Sequence, residues 1–185
     1  MIIVEGCDNS GKTMLSAQLS KALNIPARHS TAPNPAWTAL EALEHSSRSL
    51  RPQRAILDRV YAISETVYGP IVRGRNALGE QARQAIMDLY QRPYLIIYCR
   101  PHIDTILKNS GRDQMPGVIE NHRQLVKKYD DFMLDVIRFS KCTVIQYDWQ
   151  NKTEMPSLLQ RCQDYLEKFD QANWSSTFLA QGEPA

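Results

Sequence analysis

Short apolar runs alternate along the chain with longer stretches in which apolar residues recur every three or four positions. The apolar runs predict strands at residues 1–4, 27–30, 55–57, 94–99 and 142–147. Helical spacing predicts helices at residues 12–23, 79–92, 118–139 and 155–169, a helix bearing Trp37, Leu40 and Leu43, and a helical stretch from Ala62. Strands that alternate with helices are typical of βαβ units, so the pattern predicts an α/β fold with a parallel five-stranded sheet and helices on both faces.

Length and composition indicate one globular domain. The chain has 185 residues, of which 43% are hydrophobic and 23% charged, close to the averages of globular proteins. Helical periodicity weakens from about Gln171, so we expect a single domain over residues 1–170 and a tail over residues 171–185. No apolar run approaches the roughly 18 residues of a membrane span, and the first residues lack the pattern of a secretory signal. We therefore expect a cytoplasmic protein without a membrane partner.

Cysteines and charge exclude several kinds of site. The four cysteines, at positions 7, 99, 142 and 162, are widely spaced, which argues against a disulfide framework and against a zinc site. We expect reduced and mostly buried thiols. The formal net charge of +2 is too small to identify a nucleic-acid-binding protein by itself, although seven arginines fall between residues 48 and 83.

The strongest chemical signal lies between the first predicted strand and the first predicted helix. The segment Gly6-Cys7-Asp8-Asn9-Ser10-Gly11-Lys12-Thr13 matches the phosphate-binding pattern G-x-x-x-x-G-K-[ST] in its required strand–loop–helix context. In this pattern the loop amides wrap around phosphates, Lys12 reaches the β- and γ-phosphates, and Thr13 ligates Mg²⁺. The loop predicts a P-loop NTPase three-layer sandwich that binds a nucleoside triphosphate and Mg²⁺.

A second candidate group follows the third predicted strand. Asp58 and Arg59 fall at the carboxyl edge of the sheet, where open α/β folds bind their ligands. The Asp58 carboxylate is suited to hold Mg²⁺ or to orient an acceptor, and the Arg59 guanidinium is suited to grip a phosphate. The alternative is an ion pair at the end of the strand.

The segment after Arg59 is the predicted acceptor side. If the stretch from Ala62 is helical, Glu65, Tyr68 and either Val72 or Arg73 share one face, which would meet an acceptor base or sugar. The alternatives are that Tyr68 packs in the core and that the arginines merely lie at the surface.

Two further arginines are candidates for contacts with the donor. Residues 111–117 form a polar segment bracketed by glycines, so Arg112 is predicted to lie in a short lid and to close over the transferred phosphate. The alternative is an ordinary loop between two helices. Arg100 follows the fourth predicted strand and is predicted to act on the donor in a similar way. The four histidines show no arrangement of partners in the sequence and are assigned no chemistry.

In these segments the chain resembles the thymidylate kinase family of P-loop nucleotide kinases, especially the short bacteriophage members. The likeness rests on Glu5 to Thr13, which is similar to the family's E-G-x-D-x-x-G-K-[ST] loop, on Asp58-Arg59, and on the segment Gly111-Arg112-Asp113. The resemblance implies that Asp8 helps to position the acceptor or the metal and that Arg59 binds the acceptor's phosphate. It implies a kinase with ATP as donor, a deoxynucleotide as acceptor and, for a phage protein, the host cytoplasm as its location; a homodimer is compatible with it.

Three functions remain open at this point. The first is phosphorylation of a deoxypyrimidine nucleotide of the thymidine or 5-hydroxymethyluridine type. The family's Arg-Glu-Pro segment after the second strand is replaced here by His29-Ser30-Thr31-Ala32-Pro33, which keeps open phosphorylation of 5-hydroxymethyluracil within DNA, as some phage relatives perform for thymidine hypermodification. In that reaction Asp8 or Asp58 would accept the proton of the hydroxymethyl group. The third is a nucleotide-binding switch without acceptor chemistry.

Overall fold

A parallel sheet of five strands organises the molecule. The computed structural model describes residues 1–30, 36–108 and 116–180, and for residues 172–180 it describes the backbone alone. The strands are β1 (Ile2–Glu5), β2 (Ala27–His29), β3 (Ile56–Asp58), β4 (Leu95–Cys99) and β5 (Thr143–Tyr147). Their order across the sheet is β2-β3-β1-β4-β5, and every neighbouring pair is parallel.

Seven α-helices lie in the described part of the chain. They are α1 (Lys12–Leu23), α2 (Ala39–Ser49), α3 (Tyr61–Val72), α4 (Ala82–Tyr90), α5 (Ile103–Lys108), α6 (His122–Phe139) and α7 (Glu154–Ala180). Among the described residues, no helix is long and apolar enough to cross a bilayer.

The helices cover both faces of the sheet, which explains the continuous apolar runs of the strands. All four residues of β1 are buried, because its odd and even positions enter different cores. On one face, Ile3 packs with residues of α2, α3, α4 and α6, and on the other, Ile2 and Val4 pack with α1 and α7. The predicted α/β architecture with helices on both faces is confirmed.

Strand register brings the two predicted ligand-binding segments to one edge. Val4 of β1 pairs with Asp58 of β3, so the loop after β1 begins beside the carboxyl end of β3. On the other side of β1, Glu5 pairs with Tyr98 of β4. The phosphate-binding loop is therefore flanked by the ends of β3 and β4, as expected for ligand sites in open α/β sheets.

The structure corrects the predicted bounds of several helices. The helix expected from residue 118 begins at His122, and the one expected over residues 79–92 divides into a 3₁₀ turn at Gly79–Gln81 and α4. Trp37 precedes α2, because the side chain of Thr38 accepts the backbone N–H of Glu41 and caps the helix. α5 has no counterpart among the predicted helices.

The last helix crosses the predicted boundary between domain and tail. α7 continues without a break through residue 170 and reaches Ala180. The division into residues 1–170 and 171–185 stays a prediction. The four cysteines are unpaired, and Cys7, Cys99 and Cys162 are buried, which confirms the expected free thiols.

Candidate functional site

The loop between β1 and α1 has a backbone that requires glycine at both ends. Gly6 has a φ of 146°, and a Cβ placed on it would lie 2.5 Å from the carbonyl oxygen of Cys99. Gly11 has a φ of 88°, and its Cβ would lie 2.7 Å from Cδ1 of Trp149. Gly11 is also the N-cap of α1 and supplies no side-chain hydrogen bond there, which leaves the amides at the start of the helix free for an anion.

Lys12 lies inside this loop. It is 5% exposed, and its Nζ donates a hydrogen bond of 2.6 Å to the carbonyl oxygen of Cys7. Burial, reinforced by the positive charge of Arg59, lowers the pKa of Lys12, so an anion in the loop would favour its charged form. Burial also raises the pKa of Cys7 to about 11, which keeps this thiol protonated and unreactive at neutral pH. The role of Lys12 as the phosphate-binding group of the loop stays a prediction.

Thr13 and Asp58, the two predicted metal ligands, are in contact. The Thr13 hydroxyl donates to Oδ2 of Asp58 at 3.1 Å, and Nδ1 of His29 lies 3.1 Å from the same oxygen. Asp58 is 3% exposed, and its Oδ1 is buried without a hydrogen-bond partner among the described residues. An unpartnered carboxylate oxygen beside a threonine hydroxyl fits the hard oxygen ligands of Mg²⁺. The structure thus gives His29 a partner that the sequence did not reveal.

Asp8 and Arg59 form an ion pair across the mouth of the loop. Nη2 of Arg59 donates to Oδ1 of Asp8, and the guanidinium carbon lies 5.3 Å from the centre of the Tyr68 ring. The Tyr68 hydroxyl accepts the backbone N–H of Asp8 at 2.8 Å. Arg59 has a φ of 75°, a left-handed conformation that is costly for a non-glycine residue and is often found at functional sites. The predicted acceptor residues Arg59 and Tyr68 are therefore brought together with Asp8.

Glu5 and Tyr129 support the Asp8–Arg59 ion pair from the protein interior. Neither was among the predicted site residues. Glu5 is fully buried and accepts the backbone N–H groups of Val60 and Gly6 together with the hydroxyl of Tyr129, the last at 3.2 Å. The Tyr129 hydroxyl in turn accepts Nη1 of Arg59 at 3.4 Å. Burial raises the pKa of Glu5, while Arg59 and the two amides oppose that rise. A buried acidic residue at the end of a strand, just before the loop, was the available sequence signal.

Glu65 and Arg73 pair with each other on the acceptor side. Nη2 of Arg73 donates to Oε1 of Glu65, and the backbone N–H of Ala77 donates to Oε2 at 2.9 Å. Glu65 is 1% exposed. α3 ends at Val72, so Arg73 folds back from the turn instead of continuing the helical face. The pair fixes that turn, and its contact with an acceptor stays a prediction.

Arg100 lies beyond β4 and is held by α6. Its Nε and Nη2 donate to the two oxygens of Asp130 at 2.8 and 3.0 Å, and the Tyr98 hydroxyl donates to Oδ1 at 2.7 Å. This cluster lines an open groove of about 650 Å³ between α6 and β5. The predicted contact of Arg100 with the donor stays a prediction. Arg112 lies outside the described residues, as does most of the predicted lid.

Comparison with solved structures identifies the fold. The YorR protein from Bacillus subtilis, solved with phosphorylated GDP, has a TM-score of 0.65 and 19% identity over 90% of this chain and 95% of that chain. Deoxyadenosine kinase from M. mycoides with bound dCTP has a TM-score of 0.57 and 20% identity over 89% of this chain and 100% of that one. Thymidylate kinase from Candida albicans has a TM-score of 0.57 and 14% identity over 91% and 92%, respectively.

No family model and no curated protein matches the chain. The structural matches nevertheless confirm the predicted fold class, an α/β sandwich with a parallel five-stranded sheet and helices on both faces.

Proposed function

We propose that this protein is a phosphotransferase that moves the γ-phosphoryl group of ATP to a deoxypyrimidine nucleotide. The observation that carries the proposal is the convergence of two groups at one sheet edge. Lys12, Thr13 and Asp58 form the donor group, and Asp8 with Arg59 forms the acceptor group. Both groups meet at adjacent residues, because Asp58 ends β3 and Arg59 follows it.

The donor group fits MgATP. The loop amides and Lys12 would bind the phosphates, and the oxygens of Thr13 and Asp58 would hold Mg²⁺, which neutralises phosphate charge. In phosphoryl transfer the protein forms few covalent bonds to the substrate. Catalysis therefore depends mainly on positioning the two substrates and neutralising the phosphate charge. The burial of Lys12 and Asp58 supports this proposal, since charges act more strongly away from water.

The acceptor group would orient the attacking oxygen. Arg59 would bind an anionic acceptor while it keeps its ion pair with Asp8. A new O–P bond forms at the acceptor as the bond to ADP breaks. A monophosphate dianion attacks without a proton to lose, whereas a hydroxyl acceptor must pass its proton to a carboxylate such as Asp8 or Asp58.

The runner-up acceptor is 5-hydroxymethyluracil within DNA. The observation that favours it is the exposure of Arg75 and Arg83, which have no ion-pair partner in the described part of the chain. Exposed cations would suit a polymer with backbone phosphates. This function uses the same donor group and differs only in the attacking oxygen.

The test is transfer of label from γ-³²P-ATP in the presence of Mg²⁺. The four acceptors are dTMP, 5-hydroxymethyl-dUMP, plain DNA, and DNA that contains 5-hydroxymethyluracil. Lys12→Ala should abolish transfer, because it removes the phosphate-binding cation. Lys21→Ala removes an exposed lysine from the last turn of the same helix and is the matched control.

Each outcome separates the candidates. Label in either monophosphate supports the first proposal, and label in the modified DNA alone replaces it with the second. Slow ATP hydrolysis with no labelled acceptor would contradict both and favour a nucleotide-binding switch. Full transfer by Lys12→Ala would refute the assignment of the donor group.

A further inference from the structure

One buried histidine at the start of α6 has no hydrogen-bond partner among the described residues. His122, the first residue of α6, is 1% exposed, and neither of its ring nitrogens has a hydrogen-bond partner among the described residues. Buried polar side chains are nearly always hydrogen-bonded, because an unpaired polar atom loses its hydration without compensation. An apolar ring would fill the same space without that cost, so the imidazole calls for a functional reason.

His122 lies on the buried face of α6, the face that contacts the acceptor group through Tyr129. His122 and Tyr129 are two helical turns apart and belong to the same buried stripe, whose Tyr129 hydroxyl contacts Glu5 and Arg59. The negative charge of Asp8 acts on the His122 ring. Just before α6, a Cβ on Gly117 would lie 3.5 Å from Val72, so the start of the helix packs against the end of α3.

The protonation of His122 limits what it can bind. Burial lowers the pKa of His122, although Asp8 and Glu120 oppose that shift, so the ring is neutral at pH 7. A neutral imidazole offers one N–H donor and one acceptor lone pair. A phosphate offers only acceptors and would leave the lone pair of the imidazole without a donor, whereas a hydroxyl or the amide edge of a pyrimidine both donates and accepts.

We propose that His122 binds the acceptor substrate, through a sugar hydroxyl or the amide edge of the pyrimidine. The inference rests on the proposed function. It adds a residue that binds an uncharged part of the acceptor substrate. On the acceptor side, Arg59 would bind the charged group of the substrate, and His122 would bind its nucleoside.

Three substitutions and a control test the proposal kinetically. His122→Phe keeps a ring of similar shape without its nitrogens, while His122→Asn and His122→Gln return an amide near Nδ1 and Nε2, respectively. Gln124→Ala changes an exposed residue on the same turn of α6 and is the control. Each protein is assayed with MgATP and with the acceptor that the wild type labels in the four-acceptor panel.

We expect His122→Phe to raise the acceptor KM by roughly 10- to 100-fold while the KM for ATP changes by less than about twofold. At least one of the two amide variants should recover most of the loss. An acceptor kcat/KM within about twofold of wild type in His122→Phe would overturn the proposal. So would equal losses on the ATP and acceptor sides, which would indicate a structural role.

A measurement on the wild-type protein covers the case in which the phenylalanine variant does not fold. The ring nitrogens are observed by NMR in protein labelled with ¹⁵N-histidine, and the His122 signals are assigned by their loss in any of the three variants. Saturating acceptor should shift them, and MgATP alone should leave them in place. Unmoved signals at acceptor saturation would overturn the proposal.

The failure of this inference can be told from failure of the proposed function. A wild-type protein that labels no acceptor contradicts the proposed function, and this inference falls with it. A wild-type protein that labels an acceptor which His122→Phe uses equally well contradicts this inference alone.

Discussion

The hydroxyl of Tyr129 links the buried Glu5 to Arg59 of the acceptor group, so Tyr129→Phe tests whether these contacts support the site. Tyr129 is fully buried, and its hydroxyl donates to Glu5 at 3.2 Å and accepts from Arg59 at 3.4 Å. Hydrogen bonds to charged groups contribute about 1.5–3 kcal/mol, and these two are long, so we expect a loss of about 1–2 kcal/mol. For a domain of this size that lowers Tm by roughly 2–8 °C.

The assay combines thermal unfolding with kinetics on the acceptor. Tyr90→Phe is the matched control, because Tyr90 is half-buried on α4 and its hydroxyl has no partner among the residues that the structure describes. Tyr129→Phe should also lower kcat/KM for the acceptor, since Arg59 loses one of its fixed contacts. Equal Tm values for the two variants, with unchanged acceptor kinetics, would refute the proposed role of Tyr129.

Three further predictions concern backbone, capping and pH. Gly11→Ala should abolish ATP binding in calorimetry, because the added Cβ would clash with Trp149. Gly74→Ala is the control: Gly74 has a φ of 66° but open space around it, so the substitution costs only about 1 kcal/mol of backbone strain and should leave ATP binding unchanged. Equal effects of the two substitutions on ATP binding would contradict this prediction. Thr38→Ala removes a helix cap and should lower Tm by roughly 2–4 °C, so an unchanged Tm would refute the capping role. Burial raises the pKa of Cys7 from its ordinary value of 9.0 to about 11 in the folded protein, so its stabilising contribution is complete below pH 9 and is lost as pH rises through 11. Cys7→Ala should reduce the loss of unfolding free energy between pH 9 and pH 11, measured by denaturant titration. The same pH dependence of stability in Cys7→Ala and the wild type would contradict this prediction.

The donor loop could be predicted from the sequence because its conformation depends on residues within it. Gly6 and Gly11 adopt positive φ values, and Lys12 and Thr13 follow at fixed spacing, so the motif carries its own geometry. The edge position of Asp58 followed from the alternation of strands and helices. These features needed no knowledge of distant contacts.

The partners of these residues could not be predicted, because they depend on strand register and on helix packing. His29 meets Asp58 only because β2 and β3 pair in parallel with those two residues opposite each other. Arg59 meets Asp8 across 51 positions of the sequence. The predicted face of α3 was right for Glu65 and Tyr68 as helical neighbours, but Arg73 lies beyond the helix end and pairs with Glu65.

The most direct test of the central claim is ³¹P NMR of the protein with MgATP and dTMP, repeated with DNA that contains 5-hydroxymethyluracil. The account predicts that ADP appears together with a new phosphate resonance on one acceptor, at a rate that Lys12→Ala reduces to background. If ATP gives only ADP and inorganic phosphate with both acceptors, phosphoryl transfer is not the function of this site.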